Sequence, residues 1–255
     1  MPTPDNVFKQ SRIPALPTDF PIRWKEEDDQ KGSYDNDFKS ENIMDRRKLI
    51  KGQVLKGTTT IGVVCRDGVV LTTDTRATMG SFVAHKRAKK VYRIDHHIAM
   101  TIAGVVGDAQ AIVEMLRANS ALYKFDMGRP IPISAAARLV SNILFSARYY
   151  PLGVQALIGG VDDSGGHIFA LDPLGSTMEE KFVSTGSGSP VAYGVLESEW
   201  HENMVVKEAT PMALRAITSA MKRDSASGDS FDIALITKDA GYRELSEDEK
   251  KLLAH

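Results

Sequence analysis

The amino-acid sequence predicts an α+β fold in which two antiparallel sheets stack face to face and a pair of helices covers each outer face. Three observations carry that expectation. Segments rich in β-branched residues and segments with helical spacing come in blocks, as strands, two helices, strands, two helices and a strand, where a parallel α/β fold would alternate them. The first two strand segments are joined through an Asp-Gly pair, a hairpin signal. The helical segments carry their apolar residues on one face, and a sheet sandwich offers both pairs a surface to cover.

The elements follow in order. Residues 59–65 and 69–73 are β-branched runs flanking Arg66-Asp67-Gly68, hence a hairpin. Residues 91–94 and 98–103 read as a second strand pair joined through Asp95-His96-His97. Residues 107–125 have helical spacing, with Ile112, Val113, Leu116 and Tyr123 on one face and Gly128 as the stop. A second helix is expected over 134–149, with Ser134 as its cap, Leu139, Val140, Ile143 and Leu144 apolar, and Pro151 closing it. Strands near 154–161, 167–171 and 180–183 come next, then helices over 190–202 and 206–223. Pro211 must lie near the first turn of the latter or kink it. A last strand at 231–237 precedes a polar tail. There is no internal repeat and no low-complexity tract.

The bulk numbers narrow the function. A net charge of -1 over 255 residues gives no electrostatic footprint for nucleic acid or an acidic membrane surface. No apolar run approaches the roughly 18 residues that span a bilayer. The N-terminus lacks a basic stretch followed by an apolar one, so no secretory signal is expected. Cys65 is the only cysteine, which excludes an intrachain disulfide and fits a cytoplasmic location.

Composition changes sharply at residue 57. Of the first 57 residues 21 are charged, against 44 of the remaining 198, and five of the 11 prolines fall in that first stretch. Such a segment buries too little apolar surface to offset its ordering entropy. It reads as an extended leader, anchored by Phe20, Ile22 and Trp24 and carrying the hydrophilic run at 25–31, or as a plain disordered tail. The expected organisation is a leader at 1–57 and a folded domain at 58–255.

At the break stands Gly57-Thr58-Thr59-Thr60. Three threonines are good strand formers and need mean nothing more. Yet a glycine carbonyl has no side chain to obstruct attack by the next hydroxyl. If the Thr58 oxygen attacks it, the peptide becomes an ester that water hydrolyses, leaving Thr58 as a new N-terminus. One residue would then hold a nucleophile and a base: a threonine hydroxyl needs its proton removed, and a free α-amine, with a reference pKa of about 7.7–8.0, suits that task. A lysine ammonium nearby would keep the amine neutral. Lys90, in the basic cluster 85–90, is a candidate, and Asp74, at the end of the first hairpin, is its plausible partner. The same cluster also reads as a solvated turn, and Asp74 as a strand-end residue.

Six segments together resemble the β subunits of the proteasome, most closely the archaeal kind: Gly57-Thr58-Thr59-Thr60-Ile61-Gly62-Val63; Thr73-Asp74-Thr75-Arg76-Ala77-Thr78; His85-Lys86 with Lys89-Lys90; the run 100–109; Ser184-Thr185-Gly186-Ser187-Gly188-Ser189-Pro190 with 193–198; and Arg223-Asp224-Ser225-Ala226-Ser227-Gly228. The similarity spans residues 57–245. It implies a four-layer αββα N-terminal-nucleophile hydrolase and a threonine endopeptidase made as a zymogen, whose propeptide, 1–57, is cut off autocatalytically. Thr58 matches the family nucleophile, Lys90 its lysine, and Asp74 its acid, where some archaeal members have glutamate. The N–H of Gly104 matches the oxyanion donor. Ser187, Asp224 and Ser227 match a network around the threonine's amine and hydroxyl, and Arg76 a structural residue near the lysine. Substrate is expected to bind as an added strand near Thr78 and Gly104, with its side chain in a pocket of Ala77, Ala88, Ile102 and Val106. These apolar positions imply cleavage after hydrophobic residues.

The resemblance further implies β subunits in seven-membered rings, stacked on rings of α subunits, and a regulatory ATPase that feeds unfolded polypeptides through the α ring. No cofactor is expected, and no catalytic metal: His96 and His97, if on a strand, would point to opposite faces. Three rival readings are an anion cradle at Gly186-Ser187-Gly188-Ser189, a purely structural ring subunit in which Thr58 is never exposed, and another N-terminal-nucleophile hydrolase such as a bacterial HslV-type protease or an amidase.

Overall fold

The computed structural model describes residues 57–253. The expected leader up to residue 56, with Phe20, Ile22, Trp24 and the charged run at 25–31, lies outside the described residues.

The chain enters at β1 (Thr59–Cys65) and turns through Arg66 and Asp67 into β2 (Gly68–Asp74). The Asp-Gly pair thus straddles the end of the turn, with Gly68 already in the ladder opposite Cys65. A small hairpin follows, β3 (Ala77–Met79) with β4 (Phe82–His85), and then a long one, β5 (Val91–Asp95) with β6 (Ile98–Gly104). Two helices, α1 (Val106–Met127) and α2 (Ile133–Ser146), lead to β7 (Val154–Asp162), β8 (Gly165–Leu171), β9 (Thr177–Glu179) and β10 (Phe182–Gly186). Next come α3 (Ser189–Glu199) and α4 (Val206–Arg223), then β11 (Phe231–Thr237), β12 (Gly241–Glu244) and a short α5 (Glu247–Leu253).

Two five-stranded sheets result, ordered β10-β1-β2-β11-β12 and β5-β6-β7-β8-β9, with antiparallel pairing throughout. Side-chain alternation then builds three apolar layers. On β6, Ile98, Met100 and Ile102 point outward and pack with Ile112 and Leu116 of α1 and Val140 and Leu144 of α2. Ala99 points the other way and joins Val69, Leu71, Leu157 and Ile168 between the sheets. Ile61 and Val63 of β1 meet Leu196 of α3 and Met212 and Ile217 of α4 on the far side. The order is therefore helices, sheet, sheet, helices, the αββα sandwich that the sequence predicts. Strands covered on both faces lose their polar face, and every residue of β2 is buried.

The departures are local. Ser134 does not cap α2. The helix starts one residue earlier, and the Ile133 N–H donates to Asp162 Oδ2 (3.1 Å) at the end of β7, a cap from 29 residues away. The helix ends at Ser146 and not at 149, with Ala147 as its C-cap; Pro151 disfavours helical geometry only at Tyr150, so the last turn unwinds earlier than the proline requires. Pro211 falls in the second turn of α4, and the carbonyl it leaves without a partner belongs to exposed Lys207, within reach of water. The strand expected at 180–183 sits at Phe182–Gly186, and α3 stops at Glu199. The hairpin β3–β4, β9, β12 and α5 were not expected; the last two fall in what reads as a polar tail.

Candidate active site

Thr58 stands immediately before β1 and is 5% exposed. Its Oγ1 donates to the carbonyl oxygen of Gly57 at 2.6 Å. Lys90 Nζ donates to the same oxygen at 3.3 Å. Gly57 has φ +128°, and a Cβ there would lie 2.4 Å from Ala226 Cβ and 2.6 Å from Thr78 Oγ1. Any side chain at position 57 would therefore displace this carbonyl.

Asp74 closes β2 and is fully buried; Lys90 precedes β5 and is nearly so. Nζ reaches Asp74 Oδ1 at 2.8 Å and the Arg76 carbonyl at 2.5 Å, so with Gly57 all three ammonium hydrogens have acceptors. The carboxylate is equally saturated. Oδ1 also accepts the Thr59 N–H at 2.9 Å, and Oδ2 accepts the N–H groups of Arg76 and Gly228, both at 3.0 Å. Burial is the strongest influence on both groups. It raises the Asp74 pKa and lowers that of Lys90, while each partner's charge opposes the other's shift. The pair stays ionised between the two, with Lys90 easier to deprotonate than an exposed lysine. Arg76 turns outward, its Nε on Asp229 Oδ2 at 2.8 Å and its guanidinium on the Ser225 carbonyl, and leaves only its own carbonyl to the lysine.

A second network lies on the other side of Thr58. Asp224 Oδ2 accepts from Ser187 Oγ and Ser227 Oγ, each at 2.6 Å, and its Oδ1 accepts the Ala226 N–H. Burial would raise the Asp224 pKa, but these hydrogen bonds outweigh it and hold the carboxyl below the usual range. Ser227 Oγ lies 2.7 Å from Thr59 Oγ1, and Ser187 Oγ is 3.5 Å from the Thr58 carbonyl oxygen. With the Thr58 nitrogen still bonded to Gly57, the network thus touches the Thr58 carbonyl and the Thr59 hydroxyl. The free amine around which the resemblance places this network is, in this state, the Gly57–Thr58 amide.

The glycine-rich loop after β10 is shaped around the threonines. A Cβ on Gly186 would lie 1.9 Å from the Thr58 oxygen, and one on Gly188 would lie 2.1 Å from Thr59 Oγ1. Close approach to Thr58 and Thr59 accounts for both glycines.

Thr58 separates two recesses. The larger, about 410 Å³, is lined by Ala77, Ala88, Ile102 and Val106, the four expected pocket residues, together with Gly57, Lys90 and Gly104. It is also lined by His85, Arg87, Lys89, Tyr92, Ala109 and Gln110, which sequence reasoning passed over. The basic cluster is visible in the sequence, but only contact across the fold distinguishes the members that face the cleft. The second recess, about 330 Å³, has Gly104, Gly153, Gln155, Gly186 and Ser187 on its walls. Gly104 borders both. At φ +123° a Cβ on it would lie 1.9 Å from the Gly153 oxygen. Thr78 is buried beside Gly57.

His96 and His97 join the second strand pair, where the sequence reading places them. They form the β5–β6 turn, at the opposite end of that hairpin from Lys90 and Gly104, and their rings lie 4.8 Å apart.

The sequence model of the family described as "Proteasome subunit" matches residues 54–236. The chain is 53% identical to the "Proteasome subunit beta" of Methanothermobacter thermautotrophicus over 195 residues, 76% of this chain and 93% of that protein. It is 56% identical to that of Methanosarcina barkeri over 198 residues, 77% and 93% of the two chains. To that of Ferroglobus placidus it is 52% identical over 202 residues, 79% and 96%. A buried lysine–aspartate pair beside a threonine at the head of a strand, on an αββα sandwich, and these identities agree: the chain belongs to the proteasome subunit family, as a β-type threonine endopeptidase of the core particle that assembles with other proteasome subunits.

Proposed function

We propose that the chain is a zymogen in which Thr58 is the nucleophile, first on its own chain and then on substrates. The observation that carries this reading is the Gly57 carbonyl oxygen, which accepts hydrogen bonds from Thr58 Oγ1 and Lys90 Nζ together. Attack of Oγ1 on the Gly57 carbonyl carbon places negative charge on that oxygen, where the lysine already donates. Collapse with loss of the Thr58 nitrogen gives an ester between Gly57 and the threonine oxygen and frees the α-amine. Water then hydrolyses the ester, releasing 1–57 as a carboxylate and restoring the hydroxyl on the mature domain, 58–255.

In the mature chain the α-amine accepts the Oγ1 proton as the oxygen attacks a substrate carbonyl. Lys90, held on Asp74, disfavours protonation of that amine and favours the threonine alkoxide. The Gly104 N–H stabilises the tetrahedral oxyanion. Asp224, through Ser187 and Ser227, fixes the threonine segment and accepts hydrogen bonds from the new amine. The proton passes to the leaving amine, and water hydrolyses the acyl-threonyl ester.

Substrate lies as an extended strand between Thr78 and Gly104, spanning the two recesses. The apolar floor of Ala77, Ala88, Ile102 and Val106 favours a hydrophobic side chain before the scissile bond. Such a site reads little sequence and needs confinement, which seven-membered β rings between α rings would supply, with a cytoplasmic ATPase delivering unfolded chains.

The test is Thr58→Ala, read by intact mass and by hydrolysis of a fluorogenic peptide with a hydrophobic residue before the bond. Retention of the leader with no hydrolysis is expected; turnover at the unsubstituted rate would place the nucleophile elsewhere.

A further inference from the structure

The β5–β6 turn gathers three groups that the active site does not use. His97 is 7% exposed, and its Nε2 lies 2.8 Å from the carbonyl oxygen of Ile131, in the segment joining α1 to α2. A carbonyl only accepts, so in the neutral ring the proton is on Nε2 and Nδ1 carries a lone pair. That Nδ1 is buried and has no hydrogen-bond partner. It faces the carboxylate of Asp95, with Oδ2 at 3.8 Å. The His96 ring stands over the same spot, its Nδ1 3.1 Å from Asp95 Oδ1. One donor atom from each of the three residues falls within a span of 4.8 Å.

A buried imidazole nitrogen with an unshared lone pair, opposite a carboxylate, is a costly arrangement unless something sits between them. We propose that Asp95, His96 and His97 form a structural site for a divalent transition-metal ion of the zinc class. The donor set, two imidazoles and one carboxylate, is borderline in softness and matches zinc, nickel or copper better than magnesium or calcium, which take oxygen ligands. Bonds of about 2.0–2.1 Å put neighbouring ligands about 3.3 Å apart around a tetrahedral ion, so the His97–Asp95 pair has to close by roughly half an ångström. His96, half-exposed, has the freedom to swing in, and water completes the shell. The Ile131 carbonyl provides the outer hydrogen bond that fixes the tautomer and orientation of a ligating histidine.

The surroundings are rigid and nearly neutral. The turn borders a cleft of about 340 Å³, where Asp162 and Asp163 face Arg129 and Lys238. The His96 carbonyl accepts the Tyr242 N–H at 2.6 Å, and the His97 carbonyl accepts the Val161 N–H at 3.0 Å. An ion here would pin the β5–β6 turn, the loop before α2 and the start of β12 together. Lys90 and Gly104 lie at the other end of the hairpin, about 16 Å away along β5, so the ion would take no part in peptide hydrolysis.

The experiment uses the untagged full-length chain, stripped with chelator and dialysed to equilibrium against Zn²⁺, with bound metal counted by mass spectrometry and affinity measured by calorimetry. One ion per chain is expected, with a rise in thermal stability and unchanged peptidase turnover. His97→Gln and Asp95→Asn should each weaken binding by about 10–100-fold or more, and His96→Ala should do so without disturbing the fold, because it is half-exposed. His201→Ala, on a distant exposed loop, should bind like the unsubstituted chain. Binding below a tenth of an ion per chain, or full binding retained in both Asp95→Asn and His96→Ala, would overturn the proposal.

Discussion

Replacing Gly57 with alanine isolates the first chemical step from everything after it, because on the proposed maturation residue 57 leaves with the leader and the mature enzyme is unchanged. The backbone at 57 has φ +128°, a region that costs an L-residue about 1–3 kcal/mol. The added methyl carbon would also lie 2.4 Å from Ala226 Cβ, 2.6 Å from Thr78 Oγ1 and 2.8 Å from the Ala226 carbonyl oxygen. Two of these neighbours are tied to backbone, so residue 57 itself must rotate and carry its carbonyl away from Thr58 Oγ1 and Lys90 Nζ. A penalty of about 2 kcal/mol on the attack geometry is a floor, and it slows cleavage about 30-fold. The assay follows the mass of the assembled chain over time and divides peptide hydrolysis by the amount of cut subunit. Leader removal should slow by at least that factor, while hydrolysis per cut subunit stays the same. Cleavage within about twofold of the unsubstituted rate would refute the steric argument.

Three further outcomes follow from two other groups, Lys90 and Cys65. Lys90→Ala removes one member of a buried ion pair and leaves Asp74 with only backbone N–H partners; a loss of about 3 kcal/mol in chemical denaturation is expected, with leader removal and peptidase activity both abolished. In the unsubstituted enzyme, activity should rise with pH as the α-amine deprotonates and fall again as Lys90 does, and because burial lowers the Lys90 pKa that alkaline limb should come below the ordinary lysine range. A profile flat to strongly alkaline pH would exclude an ammonium role for Lys90. Burial, assisted by the charges of Asp67 and Glu208, pushes the Cys65 thiol up to about 12 from 9.0. Its contribution to stability is whole below about pH 9, where neither state ionises, and is lost as pH climbs toward 12, because the unfolded chain gives up its proton first. Denaturation midpoints should fall across that interval and fall less in Cys65→Ala, and the native thiol should resist alkylation at pH 8.

The fold was legible where burial imposes a pattern. β1 and β2 stand out as β-branched runs and β6 and β7 as largely apolar ones, and α1 shows its face through Ile112, Val113 and Leu116. What escaped was short or exposed: β3–β4, β9, β12 and α5 have too few buried positions to set a period. The start of α2 escaped for another reason, since its cap is Asp162, on a strand that comes later in the chain. At the site, Thr58, Asp74 and Lys90 were legible through their order in the family pattern. The spacing along the sequence could not say that Asp74 accepts four hydrogen bonds, or that Gly186 and Gly188 are glycines because Thr58 and Thr59 press against them. His85, Arg87 and Lys89 were visible only as charge, and their place on the cleft depends on how the loop between β4 and β5 folds back on β3. The two histidines were legible as the link between the strands at 91–94 and 98–103; what spacing could not show is that the His97 ring is buried with Nδ1 facing Asp95.

The most direct measurement is the intact mass of the β chain in particles that are hydrolysing peptide. A polypeptide beginning at Thr58 is expected, with a free amine beside its hydroxyl. Full activity from particles whose β chains all still carry Gly57 and the residues before it would contradict that expectation.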